Sequence, residues 1–212
     1  RLEIKLAHKL EGQDQAILKK SVTTIVDQVD AMKRLVNEFR DYARLPAAEL
    51  QVVDLNALVM DVLHLYGAEN AVVPVEAELD SAAPRIMGDP QQLRQVIHNL
   101  LQNAQDATQQ AWAGKEASAP AVRIFTRFVS NSKRVRVTIA DCGCGFPEHI
   151  LQKAFEPYVT TKPRGTGLGL AVVKKIADEH GARVEISNRV EGEKILGAQV
   201  SLSFAIDKAM AI

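Results

Sequence analysis

The sequence predicts an α+β protein in which helices are layered on a mixed sheet, with a long helical segment ahead of that layer. Three observations carry this. From about residue 50 the apolar period switches repeatedly between the helical repeat and the alternation of a half-buried strand. Strand-like runs at 122–129 with 134–140, and at 183–188 with 198–204, read as neighbouring pairs, so part of the sheet is antiparallel. The segment ahead of them holds a heptad seam and no strand signal.

That seam is the first element. Residues 1–11 read as the tail of a helix whose beginning is missing, and Gly12-Gln-Asp14 offers a turn. A helix then spans 15–43, with Leu18, Val22, Ile25, Val29, Met32, Val36, Phe39 and Ala43 at alternating gaps of four and three. Such a stripe calls for a partner helix, or for cover from the chain's own domain. Pro46 ends the helix, and residues 45–50 form a short linker. Val52-Val53 reads as a strand, and Asp54 or Asn56 caps a helix running to about Tyr66. Residues 72–79 alternate like a strand, and Pro74 places it at an edge. Residues 85–89 give a short strand and turn, from which Asp89 caps a helix with Pro90 in its first turn, reaching about Trp112. After a loop at 114–120 comes the hairpin 122–129/134–140, then a short helix near 149–154. A helix over 165–180 stops at Gly181, and the last strand pair closes the chain.

The 26 Lys+Arg balance the 26 Asp+Glu, so charge gives no sign of nucleic acid or an anionic membrane as partner. No apolar run reaches the length of a membrane span, and the expected location of this segment is the cytoplasm. Cys142 and Cys144 stand one residue apart. A disulfide between them would be strained, and two thiols cannot complete a tetrahedral zinc site, so they read as small residues filling a turn.

Chemistry concentrates in three places. The strand 134–140 delivers Asp141-Cys-Gly-Cys-Gly145, a carboxylate followed by glycines that let backbone approach a flat ligand. Gly165-Thr-Gly-Leu-Gly169 opens a helix, where N–H groups without side chains in front of them suit phosphate. On helix 90–112, Leu93, Ile97, Leu100, Leu101 and Ala104 form the apolar stripe, while Gln95, Asn99, Asn103 and Asp106 share another face. Two asparagines a turn apart offer amide oxygens to a hard cation, unless that face is only solvated.

Together these stretches resemble an ATP-binding superfamily. Asn99-Leu-Leu-Gln-Asn103 is similar to its asparagine box, and Asp141-Cys-Gly-Cys-Gly145 and Gly165-Thr-Gly-Leu-Gly169 are similar to its glycine boxes. The superfamily unites gyrase B, the heat-shock chaperone ATPases, MutL and the sensor histidine kinases, and its fold is the Bergerat two-layer α/β sandwich. Phe155-Glu-Pro157 and Thr160-Thr-Lys162 resemble the sensor histidine kinase branch, especially the kinases of nitrogen regulation. Residues 29–44 resemble the second helix of that branch's dimerisation and phosphoacceptor hairpin. The resemblance divides the chain into a truncated hairpin, 1–46, and a catalytic ATP-binding domain, 47–212.

The resemblance also implies roles. Asp141 would accept from the adenine amino group, with Gly143 and Gly145 letting the base lie close. Asn103 would ligate Mg²⁺ bridging the ATP phosphates, with Asn99 beside it. Gly165, Thr166, Gly167, Leu168 and Gly169 would cradle phosphate. Thr161 and Lys162 belong to the lid over 146–164, and Lys162 would meet the γ-phosphate as a point charge. The threonine that contacts adenine through water in this family has no counterpart, since Ala198 and Gln199 occupy that region. Hydrolytic members carry a glutamate four residues before the magnesium asparagine; Asn99 stands there and cannot act as a general base.

The expected function is therefore phosphoryl transfer from ATP to a histidine and thence to an aspartate of a response regulator. None of His8, His64, His98, His149 and His180 has the family's acceptor context, which places the acceptor on a helix upstream of Arg1. Expected partners are ATP, the response regulator and a second copy of the intact protein, itself anchored in the inner membrane by other segments. Alternatives are a nucleotide-binding dimeric interaction module (a pseudo-kinase) and an anti-sigma-type serine kinase, against which the heptad helix counts.

Overall fold

The computed structural model describes residues 12–65, 73–115, 119–162 and 165–206. The expected helix tail at 1–11 and the helix end at Tyr66 lie outside them. Helix α1 (Gly12–Ala43) is the long helix of the heptad seam. Its stripe stays uncovered: Ile25, Val29, Met32, Val36 and Phe39 are exposed, so the chain's own domain does not bury it.

The rest forms two layers. Strand β1 (Gln51–Val53) leads into α2 (Leu55–Leu65), and Asp54 caps that helix by accepting from the Ala57 N–H at 3.0 Å. Strand β2 (Val75–Glu78) and the short β3 (Ile86–Gly88) precede α3 (Pro90–Trp112). Strands β4 (Val122–Val129) and β5 (Arg134–Ala140) form the expected hairpin, and α4 (Glu148–Leu151) follows. Helix α5 (Gly169–Glu179) leads to β6 (Arg183–Glu191) and β7 (Lys194–Ala205). The main sheet runs β2-β4-β5-β7-β6, with β2 parallel to β4 and the other neighbours antiparallel. It is mixed, and β2 lies at its edge, as Pro74 suggested. A two-stranded ribbon, β1 with β3, sits beside it and is tied to the end of β7 by an Ile86–Ile206 bridge.

Alternation explains the layers. Val135, Val137 and Ile139 of β5 with Val200, Leu202 and Phe204 of β7 are buried together with Val59 of α2, Leu93, Ile97 and Leu101 of α3, and Val173 of α5. The whole predicted stripe of α3 is buried, which turns Asn99, Asn103 and Asp106 away from the core. Several boundaries differ from the sequence reading. Gly12–Asp14, read as a turn, already belongs to α1, and the short helix expected near 149–154 is Glu148–Leu151. The final strand pair is longer, because Gly192 at φ +59 makes its turn. The glycine helix begins at Gly169, so Gly165 and Gly167 belong to the loop before it. Glycine disfavours the helix interior, and these positions serve as loop.

Asp89 anchors α3 and much besides. Its Oδ1 accepts from the N–H groups of Gln91 and Gln92 at 2.9 and 3.1 Å, and its Oδ2 accepts from Glu49 at 3.1 Å. Burial alone would raise its pKa, but the N–H groups of Glu49, Gln92 and Gln91 hold it below the ordinary value. His180 is structural: its Nε2 accepts from the Asp89 N–H at 2.9 Å, leaving Nδ1–H to donate to the Ile176 carbonyl at 2.7 Å. An acid with a depressed folded pKa stabilises the fold above its unfolded pKa and loses that contribution as pH falls through the folded value. Asp89→Ala is expected to lower unfolding free energy by about 1–2 kcal/mol at neutral pH and to flatten the acid limb of stability, read by urea melts across pH.

Among the described residues no helix is long and apolar enough to cross a membrane.

Candidate nucleotide-binding site

A cavity of about 1160 Å³ opens between α3, β5, the 144–162 segment and the N-terminus of α5, with α1 contributing Ala31 and Glu38 as a wall. Asn99, Asn103, Asp141, Gly145, Thr161, Lys162, Gly165, Thr166, Gly167, Leu168 and Gly169 all line it. Residues from three separate stretches of sequence thus meet in one place. Gly143 is not in the wall. A Cβ there would lie 2.9 Å from the Ala107 Cβ, so this glycine lets the loop pack on α3.

Asp141 belongs to this lining. It is 8% exposed, and its Oδ1 accepts from the N–H groups of Gly143 and Ala198, both at 2.9 Å. Burial drives its pKa above the ordinary carboxylate value, against the pull of those two N–H groups and of Arg189 and Lys162. Both of these bonds fall on Oδ1, which leaves Oδ2 available. Ala198 therefore serves the site through its backbone, with no hydroxyl to add.

Elsewhere in the lining, Lys162 Nζ lies 3.2 Å from Asn103 Oδ1 and 2.8 Å from Asp106 Oδ2. An amide oxygen and a carboxylate converging on an ammonium make a place suited to a cation. Among the described residues no group of three or more His, Cys, Asp or Glu could hold a metal alone. Side chains supplying one or two hard oxygens, with a ligand's phosphates and water completing the shell, suit Mg²⁺.

The glycine loop lines the same cavity. Gly167 has φ +71, and a Cβ on it would stand 2.5 Å from the Tyr158 carbonyl carbon, so only glycine fits. Its carbonyl accepts from the Tyr158 N–H at 3.1 Å, fastening the loop to the lid segment. Helix α5 begins with no side-chain cap, because its N-cap residue is the buried Leu168. Its first N–H groups are therefore available to an anion. Gly169 sits directly against α3, where a Cβ would be 3.4 Å from Asn103 Nδ2.

The sequence reading missed the residues that hold this frame. Asn188 grips Phe146 twice, Oδ1 accepting from its N–H at 2.7 Å and Nδ2 donating to its carbonyl at 2.8 Å. Arg189 Nη1 donates to the Asp141 carbonyl at 2.6 Å. Thr108 Oγ1 accepts from the Cys142 N–H at 3.0 Å, and Trp112 Nε1 donates to the Cys142 carbonyl at 3.1 Å. Gly197 lies under Asp141, where a Cβ would come within 2.1 Å of the Asp141 carbonyl oxygen. Only Gly197 left a sequence signal, an isolated glycine inside a strand pattern. From α1, Glu38 accepts a hydrogen bond from the Thr166 hydroxyl. Asn188→Ala should free the Asp141–Phe146 turn at a cost of about 1–2 kcal/mol, visible as faster amide exchange at Phe146 than at β5.

Comparison with known proteins agrees with this geometry. Residues 88–208 match the family described as "Histidine kinase-, DNA gyrase B-, and HSP90-like ATPase". The nitrogen regulation protein NtrY of Azorhizobium caulinodans is 33% identical over 195 residues, which is 90% of this chain and 24% of that protein. The chain thus spans about a quarter of the length of this curated relative. ShkA, solved at full length in complex with AMPPNP, superposes with a TM-score of 0.68 at 27% identity, covering 97% of this chain and 42% of that one. Histidine kinase ThkA, solved in complex with the response regulator protein TrrA, shares the fold, with a TM-score of 0.70 at 24% identity over 98% of this chain and 56% of that one. The relatives favour neither the pseudo-kinase nor the serine-kinase alternative. A match over more than half of its residues, on the motifs that line one cavity, places the chain in the histidine kinase-, gyrase B- and HSP90-like ATPase family, where it resembles the NtrY sensor histidine kinases.

Proposed function

We propose that the chain is the catalytic core of a sensor histidine kinase, binding ATP with Mg²⁺ and passing the γ-phosphoryl group to a histidine outside Arg1–Ile212. Residues 47–212 would form the ATP-binding domain and 1–46 part of the dimerisation hairpin. The observation that carries this reading is that a buried carboxylate, Asp141, a cation-holding pair, Asn103 and Asp106, and the glycine loop all line one cavity.

Each residue then has a task. Asp141 Oδ2 accepts from the adenine amino group while backbone N–H groups fix Oδ1. The N–H groups of 165–169 and the open N-terminus of α5 hold phosphate. Lys162 leaves Asn103 and Asp106 to neutralise charge on the γ-phosphate. That frees the Asn103 amide oxygen, with Asn99 beside it, for Mg²⁺. Bound there, Mg²⁺ would supply charge neutralisation at the phosphate oxygens. Asn99 offers no base for water, which favours transfer over hydrolysis. The exposed α1 stripe pairs with a second copy in the intact protein, the aspartate of a response regulator receives the phosphoryl group, and other segments anchor the protein in a membrane.

The test is label transfer from γ-labelled ATP and Mg²⁺ to a supplied polypeptide carrying the acceptor helix. Acid-labile, alkali-stable label on that polypeptide, with none on this chain, is the expected result. Nucleotide binding without transfer would leave a binding module, and acid-stable label would mean a hydroxyl acceptor.

A further inference from the structure

Neither thiol of the Cys142-Gly-Cys144 turn has a task in phosphoryl transfer, yet Cys144 lines the cavity and Cys142 directly follows Asp141, which lines it too. Cys144 is exposed and lines the cavity wall. Cys142 is half-buried, and its Sγ lies 3.7 Å from Arg189 Nη1, on the guanidinium that also holds the Asp141 carbonyl. Cys142 is fixed on both sides of its peptide, by Thr108 at its N–H and by Trp112 at its carbonyl. Among the described residues the Cys144 thiol makes one weak hydrogen bond, from its Sγ to the Gly145 carbonyl at 3.6 Å. One thiol is thus reachable and loosely held, and the second stands two residues away on backbone pinned to α3.

We propose that Cys142 and Cys144 form a peroxide-sensitive dithiol whose closure to a disulfide shuts the nucleotide pocket. The Cys144 sulfur attacks hydrogen peroxide, the O–O bond breaks, and the products are a sulfenic acid and water. The Cys142 sulfur then attacks the Cys144 sulfur, the S–O bond breaks, and a second water leaves with the thiol proton. Two thiols are oxidised by two electrons and one peroxide is reduced to two waters. Because the Cys142 backbone is held by Thr108 and Trp112, bond closure draws Cys144 toward it, and with it Gly145 and Phe146. That pulls against the Asn188 clamp and the packing of Gly143 on Ala107, so the turn below Asp141 changes shape. A ring closed across one intervening residue is strained, which makes the bond readily reducible and the shutting reversible.

This inference rests on the nucleotide-pocket reading, so the experiment reads the two separately. The reduced chain is treated with hydrogen peroxide, then followed by intact mass, by Trp112 emission and by affinity for a fluorescent ATP analogue. Loss of two hydrogens, a change in Trp112 emission and at least a tenfold fall in affinity are expected, all reversed by dithiothreitol. Cys142→Ser should instead accumulate a dimedone-reactive sulfenic acid on Cys144. The doubly substituted Cys142→Ser/Cys144→Ser chain should have the same affinity before and after peroxide. A disulfide that leaves affinity unchanged, oxidation to sulfinic acid without a disulfide, or an equal loss in the double variant would overturn the proposal. If the reduced chain bound no nucleotide, the proposed function would fail and the shutting with it, while mass and emission would still report whether the disulfide forms.

Discussion

Asp141→Asn is expected to keep its fold and lose about 100-fold in affinity for adenine nucleotides, since a buried donor would face a donor. The reason lies in which atoms are already committed. The N–H groups of Gly143 and Ala198 hold Oδ1, and in the variant they would hold the amide oxygen in the same way. The amide NH₂ would then occupy the place of Oδ2 and point at the adenine amino group. Stability should move the other way. Burial raises the folded pKa of Asp141. Such an acid stabilises the fold below its unfolded pKa and loses that contribution as pH rises through the folded value. Above that folded value the ionised carboxylate is a burden that asparagine lacks. The variant should melt no lower than the natural chain at neutral pH, and any advantage should fade as pH falls. Titration calorimetry and thermal melts check the two halves separately; unchanged affinity would remove Asp141 from the nucleotide site.

Gly197→Ala should give the opposite signature, loss of stability together with loss of binding. Its Cβ would lie 2.1 Å from the Asp141 carbonyl oxygen and 2.8 Å from the Asp141 carbonyl carbon. Both are backbone atoms one residue past the end of β5, where the Asp141 N–H still donates to the Ala198 carbonyl of β7 at 2.9 Å. No side-chain rotation relieves such a contact, so the strands must part. Strain and overpacking together predict a loss of about 3 kcal/mol or more, or a melting temperature about 6–12 °C lower. A variant that melts within a degree or two of the natural chain would show that β7 can slide away from Asp141 at little cost.

The two variants separate what was visible in the residues from what was not. Asp141, Asn103 and the glycines of 165–169 were legible because they are dense local signals in a recognisable order. The same holds for Asp89 with Pro90, since a cap acts within three residues, and for the α3 stripe, since periodicity is a property of one helix. The heptad seam of α1 was legible, while the structure decided that the chain's own domain leaves it exposed. What no local pattern contained were pairings between residues far apart in sequence. Asn188 meets Phe146 across 42 positions, Arg189 meets Asp141 across 48, and Thr166 meets Glu38 across 128. A side chain's type and spacing say what it can bond, while the partner is chosen by the course of the sheet.

The sequence by itself determined the class of fold, the order of its elements and the chemistry of the cavity, because propensity, capping and side-chain type act locally. Only the tertiary structure decided that Gly143 serves packing, that Gly197 makes room for Asp141, and that Lys162 rests between Asn103 and Asp106. Those are outcomes of steric exclusion and charge pairing between separate elements, fixed when β5, β7, α3 and α5 come together around one core.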